Sequence, residues 1–234
     1  MLKAISIIGY KNSGKTTLAA SLARELKNRG QNCTAVKFSR HGFDKADTDT
    51  ARLAEYAEPV IGISPEESAV YWQKDMRLAD LSYLAKDNFL IVEGGKEQTT
   101  LPRIILAENE NQALKLDNGL ALAIWGHCST KNLKAIRDIS RLADLVLEKS
   151  FLLPGLDCGT CNRQDCLHLA REIVAGKAAP AECAASHPVT NIEINGSQLN
   201  LNGFLNNMIT NAILGMLSPL KGYAPGEINI KIKN

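Results

Sequence analysis

The stretch Gly9-Tyr10-Lys11-Asn12-Ser13-Gly14-Lys15-Thr16 limits this chain more than any other. It follows an apolar run, residues 4–8, that reads as a buried strand, and it leads into residues with helical spacing. Strand, glycine-bounded loop and helix in that order make a phosphate-binding loop. Glycine at each end lets the backbone wrap closely around an anion. Successive N–H groups and the positive end of the helix then face it, and Lys15 adds a full charge. Gly9, Asn12, Ser13, Gly14, Lys15, Thr16 and Thr17 are therefore the expected nucleotide-binding residues, with Thr16 placed to hold magnesium. Leu18, Leu22 and Leu26 give the helix its apolar stripe, and Gly30 is its expected stop.

Residues 33–38 read as a second strand, so the crossover places two parallel strands in one sheet. The polar, acidic residues 39–52 lack apolar periodicity and read as a loop at a nucleotide-sensing position. There Asp44, Asp47 or Asp49 either reaches magnesium or is an ordinary solvated turn residue, Arg52 meets phosphate or solvent, and His41 reads as an exposed loop histidine. Residues 59–63 and 68–72 are expected to pair as a hairpin that adds an antiparallel edge to the sheet, with Trp72 in the core. A helix over about 76–85 precedes an apolar strand, 88–92, that ends in Glu93. Ligands lie beyond the carboxyl ends of parallel strands, so Glu93 should emerge beside Lys15 and Thr16. There it can bind magnesium-bound water or orient an attacking one, which makes Lys15 and Glu93 the catalytic candidates; the plain alternative is a chance acid at a strand end. Residues 103–106, 120–125 and 145–147 supply further strands, with a helix near 131–143. Thr130-Lys131-Asn132-Leu133 has the first two residues of a guanine-reading [NT]-K-x-D loop and lacks its aspartate, so GTP and ATP both stay open.

Near Pro154 the composition changes, and Cys158, Cys161, Cys166 and Cys183 follow with the spacing C-x2-C-x4-C-x16-C. Cys166 opens a helix with Leu169, Ala170, Ile173 and Val174 on one side and Gly176 as its stop. Three thiolates from a tight loop and one returning after a helix suit a four-thiolate site, and structural zinc or unliganded thiols are the alternatives. His168 and His187 are not needed as ligands. The tail reads as a hairpin around Asn195-Gly196, a helix with paired apolar residues from Phe204/Leu205 to Met216/Leu217, and a last alternating strand over 227–232. So broad an apolar stripe needs cover, from the nucleotide domain or from a second subunit; a homodimer is expected.

A formal charge of +2, with no Lys/Arg block, gives no reason to expect nucleic acid or an anionic membrane as a partner. No apolar run approaches the ~20 residues of a membrane-spanning helix, and the first residues enter a strand without a leader pattern, so a cytoplasmic protein is expected. Nucleotide and reduced thiols belong to the same compartment, where clustered cysteines more often bind metal than pair.

Several of these motifs carry a resemblance. The loop Gly9 to Leu18, the run Val36-Lys37 before Asp44 and Asp49-Thr50-Ala51-Arg52, and Val92-Glu93-Gly94 resemble motifs of the molybdopterin-guanine dinucleotide biosynthesis protein B (MobB) family. Asp47 stands where that family's D-x-x-G-x-D-[ST]-x-R segment usually has glycine. The resemblance implies a GTP-binding, weakly hydrolysing accessory protein in molybdenum or tungsten cofactor maturation. Thr16 with Asp49 or Glu93 would place Mg2+, and the partner would be the nucleotide-attachment enzyme or an apo-molybdoenzyme. Separately, Cys158, Cys161, Cys166 and Cys183 with Gly176 resemble the small 4Fe-4S domain of certain electron-transfer and corrinoid proteins, with Asn162 in place of the usual glycine. A nucleotide-driven carrier of a metallocluster is the rival reading. The expected architecture is α/β: a nucleotide-binding domain with a mainly parallel sheet over 1–150, a 4Fe-4S module over 151–190, and a hairpin, helix and strand over 191–234.

Overall fold

The computed structural model describes residues 2–39, 41–43, 47–85, 88–186, 190–195, 197–199, 201–224 and 226–232. In chain order the elements are β1 (Ala4–Gly9), α1 (Lys15–Asn28), β2 (Cys33–Lys37), α2 (Asp49–Leu53), β3 (Val60–Ile63), β4 (Ser68–Tyr71) and α3 (Ser82–Ala85). They continue with β5 (Phe89–Glu93), β6 (Arg103–Leu106), α4 (Glu110–Leu116), β7 (Ala121–Trp125), β8 (Ala135–Ile136) and α5 (Ile139–Lys149). The last are α6 (Cys166–Val174), β9 (Glu193–Ile194), β10 (Ser197–Gln198) and α7 (Gly203–Leu217).

Six strands form one sheet in the order β2-β5-β1-β6-β7-β8, every neighbouring pair parallel. The central strand β1 is buried along its whole length because both faces are covered, which is why its sequence is continuously apolar. Its alternation still assigns faces. Ile5 and Ile7 pack with Leu18, Leu22 and Leu26 of α1 and with Leu142, Ala143 and Val146 of α5. Ala4 faces Leu78, Leu101 and Leu152 on the other side, and Ile8 packs there with Ala113 and Leu116 of α4. The α/β architecture with a mainly parallel sheet is thus present, and β1 and β5 end side by side above α1.

Several local expectations are corrected. Residues 39–52 are not all loop: α2 begins inside them, because the Thr48 side chain accepts from the Ala51 amide at 3.2 Å and Asp49 supplies an acid to the first turn. The hairpin forms as β3 and β4, with Val60 opposite Tyr71, but it is a separate two-stranded sheet and not an edge of the main one. The helix over 76–85 shrinks to a 3-10 turn, Leu78–Leu81, followed by α3. The strand expected at 145–147 lies inside α5; Asp138 caps that helix by accepting from the Arg141 amide at 2.8 Å, and β8 occupies part of the stretch read as helix. A three-residue apolar run carries no period, so the surrounding spacing of Leu142, Ala143 and Val146 decides.

The four-cysteine segment packs on the first domain. Phe151, Leu153, Cys166, Leu169, Ala170 and Cys183 share one apolar cluster with Leu120, which precedes β7. The Leu153 amide donates to the Thr100 carbonyl at 2.8 Å, and Arg171 of α6 donates to the Asn118 carbonyl at 2.7 Å. In the tail the hairpin contracts to two residues per strand, with Gly196 outside the described residues. Residues 227–232 form no strand; Ile228, Ile230 and Ile232 are exposed, and without a partner strand among the described residues an alternating pattern has no ladder to join. The helix α7 forms, yet only Gly203 and Asn206 on it are buried, and Phe204, Met208 and Met216 face solvent, so the described residues do not supply the expected cover.

Candidate functional site

The loop between β1 and α1 is shaped by sterics that the sequence meets position by position. A Cβ on Gly9 would sit 2.5 Å from Ser13 Oγ and 3.0 Å from the Leu106 carbonyl oxygen, so only glycine lets the loop leave β1 here. Asn12 (φ 61°) and Gly14 (φ 87°) adopt the left-handed conformation, which asparagine tolerates and glycine takes freely. The Lys15 Nζ donates to the Tyr10 carbonyl at 2.5 Å, and Ser13 Oγ is buried with no hydrogen-bond partner among the described residues. Burial holds the Lys15 amine below its ordinary value, with Lys96 and Lys37 nearby adding to the effect and Glu93 opposing it. This is a cationic cradle at the start of a fourteen-residue helix whose first turn has no side-chain cap.

Thr16 Oγ1 donates to Glu93 Oε1 at 2.9 Å, which joins the first turn of α1 to the end of β5. The same carboxylate oxygen takes Lys37 Nζ at 3.0 Å, from the end of β2. Thr16 and Glu93 therefore come together as a hydroxyl and a carboxylate beside Lys15. Thr17 is exposed in the same helical turn. Asp49 is not joined to them by any hydrogen bond or ion pair among the described residues; its side chain is almost wholly exposed, 3.9 Å from Arg52. His41 is exposed, and Asp44 and His187 lie outside the described residues.

Sequence reasoning missed Arg103. Its side chain is buried at 2% exposure, and it donates to the carbonyls of Leu116 (3.1 Å), Lys96 (3.2 Å) and Gln98 (2.6 Å). Burial pushes its guanidinium down to about 10, against the pull of Asp117 and Glu97. The signal was present, since a lone arginine in a buried apolar strand must find acceptors. With Ser6, whose hydroxyl donates to the Gly94 carbonyl at 2.9 Å, it fixes the loop that follows Glu93.

The four cysteines of the second motif line one hollow, with walls of Pro154, Leu156, Leu169 and Ala185. Cys166 and Cys183 are buried, while Cys158 and Cys161 are partly exposed. Asp157, Gly159 and Asn162 are all left-handed, so the loop that carries Cys158 and Cys161 is tightly coiled. At position 162, asparagine is the replacement that costs least there. Burial opposes the Cys158 thiolate, but hydrogen bonds from the Thr160 hydroxyl and from the amides of Thr160 and Gly203 outweigh it, and the thiol lies below its ordinary value. Cys166 is pushed up to about 11, chiefly by burial. Among the described residues no three His, Cys, Asp or Glu side chains are drawn closely enough to hold a single metal ion. The donor set of four sulfurs around one apolar hollow fits a four-thiolate group. His168 is engaged elsewhere, with Asp165 at 2.8 Å.

The sequence model of the MobB family, molybdopterin guanine dinucleotide synthesis protein B, matches residues 4–125, just over half of the chain. The chain belongs to the MobB family. A second family, described as "Putative Fe-S cluster", matches residues 153–185 of this MobB-family chain and so takes in all four cysteines of the motif. A relative from Methanocaldococcus jannaschii, named "Putative molybdopterin-guanine dinucleotide biosynthesis adapter protein", is 24% identical over 241 residues, covering 99% of this chain and 97% of its own. The "Molybdopterin-guanine dinucleotide biosynthesis adapter protein" of Haemophilus influenzae is 27% identical over 150 residues, covering 60% of this chain and 84% of its own. The crystal structure of Bacillus subtilis MobB superposes with a TM-score of 0.51 at 19% identity, over 64% of this chain and 99% of that one, which establishes a shared fold. Among the described residues no helix is long and apolar enough to cross a membrane.

Proposed function

We propose that this chain is a GTP-binding, weakly hydrolysing adapter in molybdopterin guanine dinucleotide biosynthesis that also carries a 4Fe-4S cluster. The observation that carries the nucleotide half is the 2.9 Å bond between Thr16 and Glu93, beside Lys15 on the phosphate loop. Thr16 and Glu93 are the residues that would hold Mg2+, which when bound offsets phosphate charge. Lys15 leaves the Tyr10 carbonyl to neutralise the bound phosphates, and the loop amides from Asn12 to Thr17 orient them. Glu93 retains a second carboxylate oxygen that can orient a water. Turnover is slow until a partner completes the site. Cys158, Cys161, Cys166 and Cys183 are the residues that would hold the cluster, which supplies one-electron chemistry when bound.

The partner in this reading is the enzyme that attaches nucleotide to the molybdenum cofactor, or an apo-molybdoenzyme. The protein works in the cytoplasm as a homodimer, and the chain divides into 1–150, 151–190 and 191–234. The partial exposure of Cys158 and Cys161 favours a second reading, in which the cluster is cargo handed to an apoprotein under nucleotide control. One sample tests both: anaerobic purification with metal analysis, an absorption spectrum and a nucleotide-affinity panel. Tight GTP binding with a stable brown chromophore is expected. A colourless protein with one zinc overturns the cluster, absence of triphosphate binding overturns the GTP site, and nucleotide-triggered iron release favours the carrier.

A further inference from the structure

Lys96 lies three residues beyond the Glu93 carboxylate, across Gly94 (φ 87°) and Gly95 (φ 68°). This double left-handed turn brings the chain back over the phosphate loop. It has no room for larger residues, since a Cβ on Gly95 would lie 2.9 Å from side-chain atoms of both Gln98 and Phe38. The main chain of the turn is held firmly. The Gly94 amide donates to the Ile7 carbonyl at 3.0 Å, Ser6 holds the Gly94 carbonyl, and Arg103 holds the carbonyls of Lys96 and Gln98.

The Lys96 side chain, in contrast, is held lightly. Its ammonium sits 4.5 Å from the centre of the Tyr10 ring, a contact worth on the order of 1 kcal/mol for a half-buried lysine over a half-exposed ring. No carboxylate pairs with it among the described residues, because the nearby Glu93 is occupied by Thr16 and Lys37. Tyr10 thus meets two ammonium groups, Lys15 at its carbonyl and Lys96 at its ring. Besides burial, the proximity of Lys96 and Lys37 disfavours the charge on Lys15. Cations kept this close, with only Lys37 paired to the Glu93 carboxylate among the described residues, lower their mutual repulsion when an anion enters.

We propose that Lys96 leaves the Tyr10 ring when nucleotide binds and pairs with the terminal phosphate, so that it distinguishes a triphosphate from a diphosphate. The loop amides and Lys15 already serve the inner phosphates. Lys96 approaches from the side of Glu93, one of the residues that would hold Mg2+ and so offset phosphate charge. Its anchored backbone and loosely parked side chain suit a group that must move a short way to a fixed place.

This inference rests on the nucleotide site proposed above, and the test separates the two. Calorimetry with GTP and with GDP, each with magnesium, is run on the full-length wild type, Lys96→Ala and Lys96→Arg, with melting temperatures as a check on folding. Lys96→Ala is expected to weaken GTP by about ten-fold or more while changing GDP by less than about two-fold, a difference typical of a lost charge-assisted bond to one phosphate. Lys96→Arg, which keeps the charge, is expected to restore most of the preference. Equal loss for both nucleotides, or unchanged GTP affinity in the folded Lys96→Ala protein, overturns the role of Lys96 and leaves the site standing. A wild type that binds neither nucleotide overturns both.

Discussion

Burial, with Lys96 and Lys37 nearby, holds the Lys15 amine below its ordinary value, and among the described residues its close acceptor is the Tyr10 carbonyl. A cation so placed contributes little to folding and much to an incoming phosphate. Lys15→Ala is therefore expected to abolish measurable triphosphate binding by calorimetry with the melting temperature unchanged; retained affinity would refute the phosphate-loop assignment. Glu93 is different, because its carboxylate joins three elements through Thr16 and Lys37. Glu93→Gln keeps the shape and an acceptor for Thr16 but removes the charge, and turnover should fall about a hundred-fold or more, the low end of the cost of losing a positioned acid or base. A stopped assay on a protein that melts normally checks this; a collapse in stability with normal turnover would make Glu93 structural. The loop residues were legible because glycine, lysine and threonine there answer to local sterics and charge. Lys96 and Arg103 were not, because their roles come from Tyr10 and from carbonyls that only the fold brings near.

At the scale of elements, the segment between β5 and β6 is the joint of the molecule. It starts at Glu93, is clamped by Arg103 from within the sheet, and ends at Thr100, whose carbonyl takes the Leu153 amide beside the cysteine segment. Arg103→Met fills much of the same volume but leaves the carbonyls of Leu116, Lys96 and Gln98 without their donor. At ~1 kcal/mol or more for each carbonyl stranded away from water, about 3 kcal/mol of stability should be lost. Urea unfolding measures it, and a loss below roughly 1 kcal/mol would mean that water replaces the guanidinium. Elements that carry their own signals, such as β1 with α1 or α6 between Cys166 and Gly176, were legible from sequence. Those decided by partners were not. Residues 145–147 are as apolar as a strand but belong to the stripe of α5, and residues 227–232 alternate as a strand does with no partner strand among the described residues.

For the whole molecule, the exposed apolar length of α7 and the four-cysteine hollow set the remaining expectations. Phe204 is 72% exposed and Met208 51%, on a helix whose buried residues are only Gly203 and Asn206. If a second copy covers that face, light scattering should give a dimer, and Phe204→Asp with Met208→Asp should give a monomer that still binds nucleotide; a monomeric wild type would refute the dimer. The cysteine segment buries Cys166 and Cys183 against Phe151, Leu169 and Leu120, yet its loop turns through left-handed Asp157, Gly159 and Asn162 with few apolar contacts of its own. If the four thiolates hold a metal as proposed, a loop of that kind depends on it for order. Replacing any one of Cys158, Cys161, Cys166 or Cys183 by serine should remove most of the iron from a protein expected to hold about four per chain, whereas Cys33→Ser and Cys128→Ser should not. The same four variants should become open to proteolysis between residues 150 and 190. Nucleotide affinity should survive, because Lys15, Thr16 and Glu93 are held by β1, α1 and β5 and not by the cysteine segment. Limited proteolysis with mass spectrometry, run beside calorimetry on the same variants, decides between this and a module whose loss takes the nucleotide site with it through Thr100 and Leu153.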